Sequence, residues 1–560
     1  MKKFIFVTLL LTLVASLSHA NDYAKSSADG KAAVATVNPY ATAIALDVIA
    51  RGGNAIDAAA AAAFALGVVD GQNSGIGGGL FILVRLASGE VIAIDGREMA
   101  PAAARHDMYW VEGKAVPDLS RTGALAIGIP GSVAALHQLQ QRGGKLQFAD
   151  VILPAAKLAE QGFSIAPNMA QRLARSADAI ARFPASAEIF LDEQGKPRAA
   201  YSTLKQKDLA ATYRKLAQQG PDYFYKGEFA KKAAQWMKQN GGLITEKDFA
   251  NYQTKVRAPI VSEFAGYTLY GFPPPSSGGI HVAQILNILE QFELEKLQPE
   301  DRYHLIAEAI KFAFADRAHW LGDADFTKVP NGLTDKRYAK EIAKKINLNK
   351  ITEKVTHGNP DIDIDALMNK HTTHIATADK DGNWVAITTT VNTSFGSKVV
   401  IPGTGVVMNN QMDDFSAQPG TANAFGLVGS AANAIAPGKR PLSSMSPTLV
   451  FKDNKPVMTL GAAGGPTIIS QVVLALLYSL VDQMPVEDAL AQTRIHQQWS
   501  PNLLFVEEAM PEKIKSSLIK RGHELKIWSS MGTAQAIQLR EGKFHPATDP
   551  RIIEQRPLWE

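Results

Sequence analysis

Residues 369–396, NKHTTHIATADKDGNWVAITTTVNTSFG, decide how the rest of the chain is read. Asp381-Gly382 between two runs of Thr, Ile, Val and Trp is a strong hairpin signal. Pairing outward from a turn centred near 380–381 sets Thr372 across from position 389 or 390, since loop type fixes register to within a residue. Strand propensity alone would account for threonines here. A sharper reading is that Thr372 or Thr373 becomes a chain terminus. A threonine hydroxyl is a poor nucleophile without a base beside it. A free α-amine, with a pKa of about 7.7–8.0, supplies that base on the same residue. The preceding residues, from about 347 to 371, are polar, include Gly358 and Pro360, and show no sustained period. They read as an exposed linker where a cut is tolerated. Spacing alone does not choose Thr372 over Thr373.

At the other end, Lys2-Lys3, the apolar run 4–15 and Ser18-His19-Ala20 read as a secretory signal, residues 1–20. The run is too short for a membrane anchor. Cleavage would leave 540 residues starting at Asn21, enough for one large multilayer domain or two joined ones. Removing Lys2 and Lys3 leaves 56 Lys and Arg against 54 acids, a net charge of +2 that argues against a nucleic-acid partner. There is no cysteine, which removes a thiol nucleophile and any thiolate metal site. The apolar stretches NAIDAAAAAAFALGVVD and SQVVLALLYSLVDQM are too short to span a bilayer and read as buried helices. Export of such a body points to a bacterial periplasm or the cell exterior.

Between these ends, residues 41–69 are alanine-rich with helical spacing, interrupted at Gly52-Gly53. A glycine run and two strands follow, ending near Asp95. GIGGGL resembles a dinucleotide fingerprint, but Leu80 stands at its last glycine position, so Gly77–Gly79 read as a site of close backbone approach. GFPPPSSGGIHVAQILNILEQF gives a rigid turn and then a helix. Strands dominate after the linker, with more helix after Ile468. The class is α+β or layered α/β, not alternating βαβ. His371 and His374 have metal-like spacing, but a strand points them to opposite faces, so no metal is expected.

The downstream stretches NNQMDDF, GKRPLSSMSPT and GAAGGPTI complete a pattern. With VATVNPYATAIALDVIARGGNAIDAAAA, REMAP, PPPSSGGIH, FADRAHWLGDADF, TTH, HQQWSP and ATDPR, it resembles the γ-glutamyltranspeptidases, or glutathione hydrolases, over nearly the whole chain after the signal. The resemblance implies an N-terminal nucleophile hydrolase, a four-layer αββα sandwich made as a proenzyme that cuts itself between His371 and Thr372. The large piece would be 21–371 and the small one 372–560, associated as a heterodimer.

Thr372 would form a γ-glutamyl-enzyme from glutathione and other γ-glutamyl amides, oriented by Thr390, with Gly464 and Gly465 as the oxyanion hole. Arg97 suits the donor's α-carboxylate through a charge-assisted bond, with Ser443 and Ser444 adding hydroxyls. Asp414 suits its α-ammonium, with Asn392 and Gln411 completing that end. Water, an amino acid or a dipeptide would accept the acyl group, and no cofactor is implied. Phe425 stands in a lid-like loop where relatives often carry tyrosine. Rival readings are a related amidase, such as a β-lactam side-chain acylase, and an uncleaved periplasmic protein that binds γ-glutamyl compounds.

Overall fold

The computed structural model describes residues 22–356 and 372–554. The expected signal, His371 and linker residues 357–371 lie outside the described residues; residues 351–356 carry no helix or strand.

The hairpin forms from strands Thr373–Asp379 and Trp384–Thr390. Thr373 stands opposite Thr389 and Ile375 opposite Ile387. Asp379 closes the turn: its N–H donates to the Asn383 carbonyl (3.0 Å), and its Oδ1 accepts from the Asn383 N–H (2.9 Å). Continuing the register by one step puts Thr372 opposite Thr390, within the range that spacing allowed.

This hairpin occupies the middle of a seven-stranded antiparallel sheet, in the order Ala24–Ser26, Ala32–Ala35, Thr373–Asp379, Trp384–Thr390, Gly79–Arg85, Val91–Gly96, Lys255–Arg257. A second antiparallel sheet of six strands runs Ile260–Phe264, Tyr267–Gly271, Thr448–Lys452, Lys455–Ala463, Thr533–Arg540, Lys543–Thr548.

Side-chain alternation assigns the faces. Ile375, Val385, Ile387, Ile82 and Val84 point to one core, shared with helices Pro39–Ala50, Ala55–Val69, Phe148–Gln161 and Lys207–Gln219. Ala376, Ala378, Ala386, Phe81 and Trp384 point the other way, into the core shared with Leu449, Leu460, Ala462 and Ala536 of the second sheet. Helices Gly278–Leu289, Pro299–Trp320 and Thr467–Leu476 contribute to that second core. The layers are therefore helix, sheet, sheet, helix, the αββα sandwich that the resemblance implied. Because both faces of the hairpin are covered, every residue in its two strands is buried. Truncating one of them, as in Ile387→Ala, costs on the order of 2–5 kcal/mol.

Helix Ala55–Val69 has a reason to start where it does. Asn54 Oδ1 accepts from the N–H groups of Ile56 and Asp57, and Asp57 returns a bond to the Asn54 N–H. This capping box is worth about 1 kcal/mol. The helix ends at Asp70, which carries its chain into the site.

Candidate active site

Thr372 and Thr390 lie at the open end of the central hairpin and are 7% and 3% exposed. The Asn392 N–H donates to Thr390 Oγ1 (2.8 Å), and Asn392 Nδ2 donates to the Asn410 carbonyl (3.0 Å). Asn392 adopts φ +80°, a conformation that turns the chain sharply after the strand. Gly78 packs so closely that an added Cβ would lie 2.0 Å from the Thr390 carbonyl oxygen. Close backbone approach is thus the role of that glycine.

Nine of the ten catalytic and binding positions inferred from sequence line one cavity: Thr372, Thr390, Arg97, Asn392, Gln411, Asp414, Ser443, Ser444 and Gly465. Gly464 stands directly beside it in the chain. Arg97 follows strand Val91–Gly96 and is fully buried. Its Nε donates to the Pro441 carbonyl (3.0 Å) and its Nη2 to Asp414 Oδ2 (2.5 Å). The two groups assigned to the carboxylate and the ammonium of one α-carbon therefore meet each other in the lining of the cavity. Gln411 Nε2 also donates to Asp414 Oδ2 (2.8 Å). Burial pushes the Asp414 carboxyl up, against the pull of Arg97 and Gln411. Two buried atoms here lack a hydrogen-bond partner, Arg97 Nη1 as a donor and Gln411 Oε1 as an acceptor. A ligand carrying both a carboxylate and an ammonium answers that pair.

Asp413, next in sequence to Asp414, has a different job. Its carboxylate accepts from Ser120 Oγ (2.6 Å) and from the Ala424 N–H (2.8 Å), fixing the root of the Phe425 loop. Phe425 is buried and covers Gly465, where an added Cβ would come 2.9 Å from its ring. Gly464 (φ +143°) and Gly465 (φ +58°) join strand Lys455–Ala463 to helix Thr467–Leu476. Their N–H groups precede a helix N-terminus, where the backbone dipole favours negative charge. The Ser443-Ser444 segment runs beside the proline turn: Ser443 N–H donates to the Pro275 carbonyl (2.8 Å), and Ser277 N–H to the Ser443 carbonyl (2.8 Å).

Three residues of this neighbourhood were missed by sequence reasoning. Arg317, in helix Pro299–Trp320, lines the cavity and donates through Nη2 to Ser444 Oγ (3.1 Å). Its motif, FADRAHWLGDADF, was legible only as a shared stretch. Asp70 is buried and accepts a hydrogen bond from Thr373 Oγ1. Burial raises its carboxyl to about 6, opposed by Thr373, Arg172 and Asn73. Glu98, buried beside Arg97, is raised by burial to about 7, with Arg97 opposing. Only Asp70, closing the apolar run FALGVV, carried a local signal; Arg317 stands next to Asp316 and Glu98 next to Arg97.

His374 is buried, hydrogen-bonded through Nδ1 to Thr388 Oγ1 (2.9 Å), and burial lowers it to about 3. One other group among the described residues has metal-ligand composition, His304, Glu308 and His523. There His304 Nδ1 meets His523 Nε2 at 2.7 Å, and Lys311 Nζ forms an ion pair with Glu308 Oε1 at 2.6 Å.

The γ-glutamyltranspeptidase family profile matches residues 41–557. The chain belongs to the γ-glutamyltranspeptidase family. It is 41% identical to the glutathione hydrolase proenzyme of Escherichia coli (strain K12), over 93% of this chain and 90% of that one. A cephalosporin acylase from Bacillus halodurans shares the fold with a TM-score of 0.82 and 28% identity, over 93% and 94% of the two chains. A γ-glutamyltranspeptidase from Helicobacter pylori matches at a TM-score of 0.56 and 39% identity, over 56% of this chain and 92% of that chain. Of these two structures, the acylase is the less similar in sequence.

Proposed function

We propose that this chain is a γ-glutamyltransferase and glutathione hydrolase, matured by its own cleavage between His371 and Thr372. In maturation Thr372 Oγ1 attacks the His371 carbonyl carbon. The peptide C–N bond breaks, an ester forms, and water opens it to leave Thr372 with a free α-amine. In turnover that amine takes the hydroxyl proton while Oγ1 attacks the donor's γ-carbonyl. The oxyanion is met by N–H groups at Gly464 and Gly465, each donor of this kind worth about 2.7–4 kcal/mol. The proton passes to the departing amine as the amide bond breaks. Water or an acceptor amine then attacks the γ-glutamyl ester and restores Thr372.

The observation that carries this reading is the contact between Arg97 and Asp414 in the lining of the cavity. An α-amino acid headgroup can match both charges at once. The pieces would be 21–371 and 372–560, held as a heterodimer, with export to the periplasm directed by residues 1–20. Amino acids or dipeptides are the acceptors proposed beside water.

The whole-chain likeness to a cephalosporin acylase favours one alternative, an amidase for acyl groups that lack an ammonium. Such an acyl group would leave Asp414 without a cationic ligand partner. Assay of γ-glutamyl-p-nitroanilide against glutaryl-p-nitroanilide separates the two. Higher kcat/KM on the glutaryl compound would overturn the proposal.

A further inference from the structure

Five arginines among the described residues are buried: Arg97, Arg317, Arg440, Arg494 and Arg551. Four of them touch a carboxylate, namely Asp414, Asp95, Asp549 and Glu507 respectively. Arg317 is the exception. Its contacts are two hydroxyls, Ser277 Oγ from Nε (3.0 Å) and Ser444 Oγ from Nη2 (3.1 Å). The neighbouring acid does not serve it: Asp316 accepts instead from Gln284 Nε2 (2.6 Å) and the Tyr338 hydroxyl (2.8 Å). A guanidinium withdrawn from water without a counter-charge is costly. Such a group persists where an anion completes it, and Arg317 lines the cavity that holds Thr372.

The hydroxyl chemistry says how that charge is delivered. A serine oxygen that accepts from a guanidinium keeps its own O–H as a donor. Ser444 is in that position toward Arg317, and Ser443 Oγ accepts from the Met445 N–H (3.1 Å), with the same result. Both hydroxyls can therefore present hydrogens to an anion in the cavity. The nearby charges are Arg97 and Arg317 against Asp414 and Glu98, whose Oε2 lies 3.6 Å from Arg97 Nη1. While burial keeps Glu98 protonated, below about pH 7, that set is one negative charge short.

We propose that Arg317 is a specificity-determining residue for the donor's free α-carboxylate, acting through the Ser444 hydroxyl as the partner of Arg97. The inference rests on the γ-glutamyl reading above and adds a second cation to it. The site then demands an anion at the α-carbon twice over, and a donor whose α-carboxylate is an amide forfeits both contributions.

The test compares γ-glutamyl-p-nitroanilide with the same anilide carrying an α-carboxamide, on the self-cleaved enzyme. Arg317→Gln is expected to lower kcat/KM for the carboxylate donor by about 30-fold or more, mostly through KM. The carboxamide donor should change by less than about threefold, since there is no charge left to lose. Ser444→Ala should reduce the same discrimination, and Arg317→Gln added to Ser444→Ala should cost little more. Arg317→Lys should restore part of it as a point charge. The fraction of chain converted to two fragments reports folding independently.

Equal proportional loss on both donors would show a merely structural role, and unchanged kcat/KM on both would show none; either overturns the inference. If Arg317→Gln does not accumulate, Arg317→Lys and Ser444→Ala decide by the same ratio. A wild-type enzyme inactive on the γ-glutamyl donor would sink the functional reading itself. An active wild type with no donor-dependent effect would sink only this inference.

Discussion

Thr373 Oγ1 donates to the buried carboxylate of Asp70, so the residue directly after Thr372 is tied to the end of the alanine-rich helix. The same carboxylate accepts from Gln72 Nε2 (2.6 Å) and Asn73 Nδ2 (2.8 Å), and the Asn73 carbonyl accepts from the Val391 N–H (2.9 Å). One loop thus holds both ends of the hairpin mouth, where Thr372 and Thr390 face each other. Asp70→Asn keeps the shape but, with its oxygen left to Gln72 and Asn73, turns an amide NH2 toward the Thr373 hydroxyl, which must give up donating there. Its expected cost is about 1–3 kcal/mol of local order. We expect slower conversion of precursor on a denaturing gel, and kcat reduced about tenfold with KM nearly unchanged. A normal conversion rate would argue against this role.

Thr372→Ala removes the nucleophile of both reactions. The variant should run as one uncleaved chain, where the native sequence gives two fragments, and should show no turnover of a γ-glutamyl anilide. Thr372→Ser should still be cut, more slowly. An uncleaved native protein with full activity, shown by intact mass, would favour other chemistry, and an inactive uncleaved one would favour a binding protein.

Glu98 predicts a pH effect on binding. Its Oε2 lies 3.6 Å from Arg97 Nη1, and burial raises its carboxyl to about 7. Below that pH the group is neutral and leaves Arg97 to a substrate carboxylate. Above it the ionised group competes. KM for the donor should therefore rise between about pH 6 and pH 8, and Glu98→Gln should flatten the rise. Stability moves in the same sense. The folded protein keeps a proton that the unfolded chain sheds near 4.5, so wild type loses stability as pH climbs from there toward 7. Thermal unfolding across that window checks it, with Glu98→Gln as the comparison.

Gly465→Ala should be severe for two independent reasons. The residue sits at φ +58°, and the new Cβ would come 2.9 Å from the Phe425 ring. Any shift moves the N–H group assigned to the oxyanion, so kcat should fall about 100- to 1,000-fold. If Phe425→Ala in the same chain recovers much of the loss, the ring contact dominates. If it recovers none, the backbone does.

What sequence made legible was local or carried by motif. The hairpin register followed from the Asp381-Gly382 turn, and the interrupted alanine-rich helices formed on either side of Gly52-Gly53. Residues of one polar motif, such as Gln411 and Asp414, reached the cavity together. Long-range pairing was not legible. Strand Ala32–Ala35 lies beside Thr373–Asp379, a partner chosen by packing across most of the chain and not by local period. Asp70, Glu98 and Arg317 escaped for a related reason. Their meaning lies in burial and in which charges they meet, and a single sequence displays neither.

The interleaving of the two sheets has a consequence for the cut molecule. Strands from before residue 357 flank the Thr373–Asp379 and Trp384–Thr390 pair on both sides, and strands Ile260–Phe264 and Tyr267–Gly271 extend the other sheet. Severing the backbone ahead of Thr372 therefore frees neither piece, because parting them means tearing both hydrogen-bonded ladders and opening both cores. A chain cut there would be held by a barrier as high as that of wholesale denaturation. Once it is crossed, reassembly becomes a second-order encounter between two incomplete halves, so dilution after heating should make inactivation permanent.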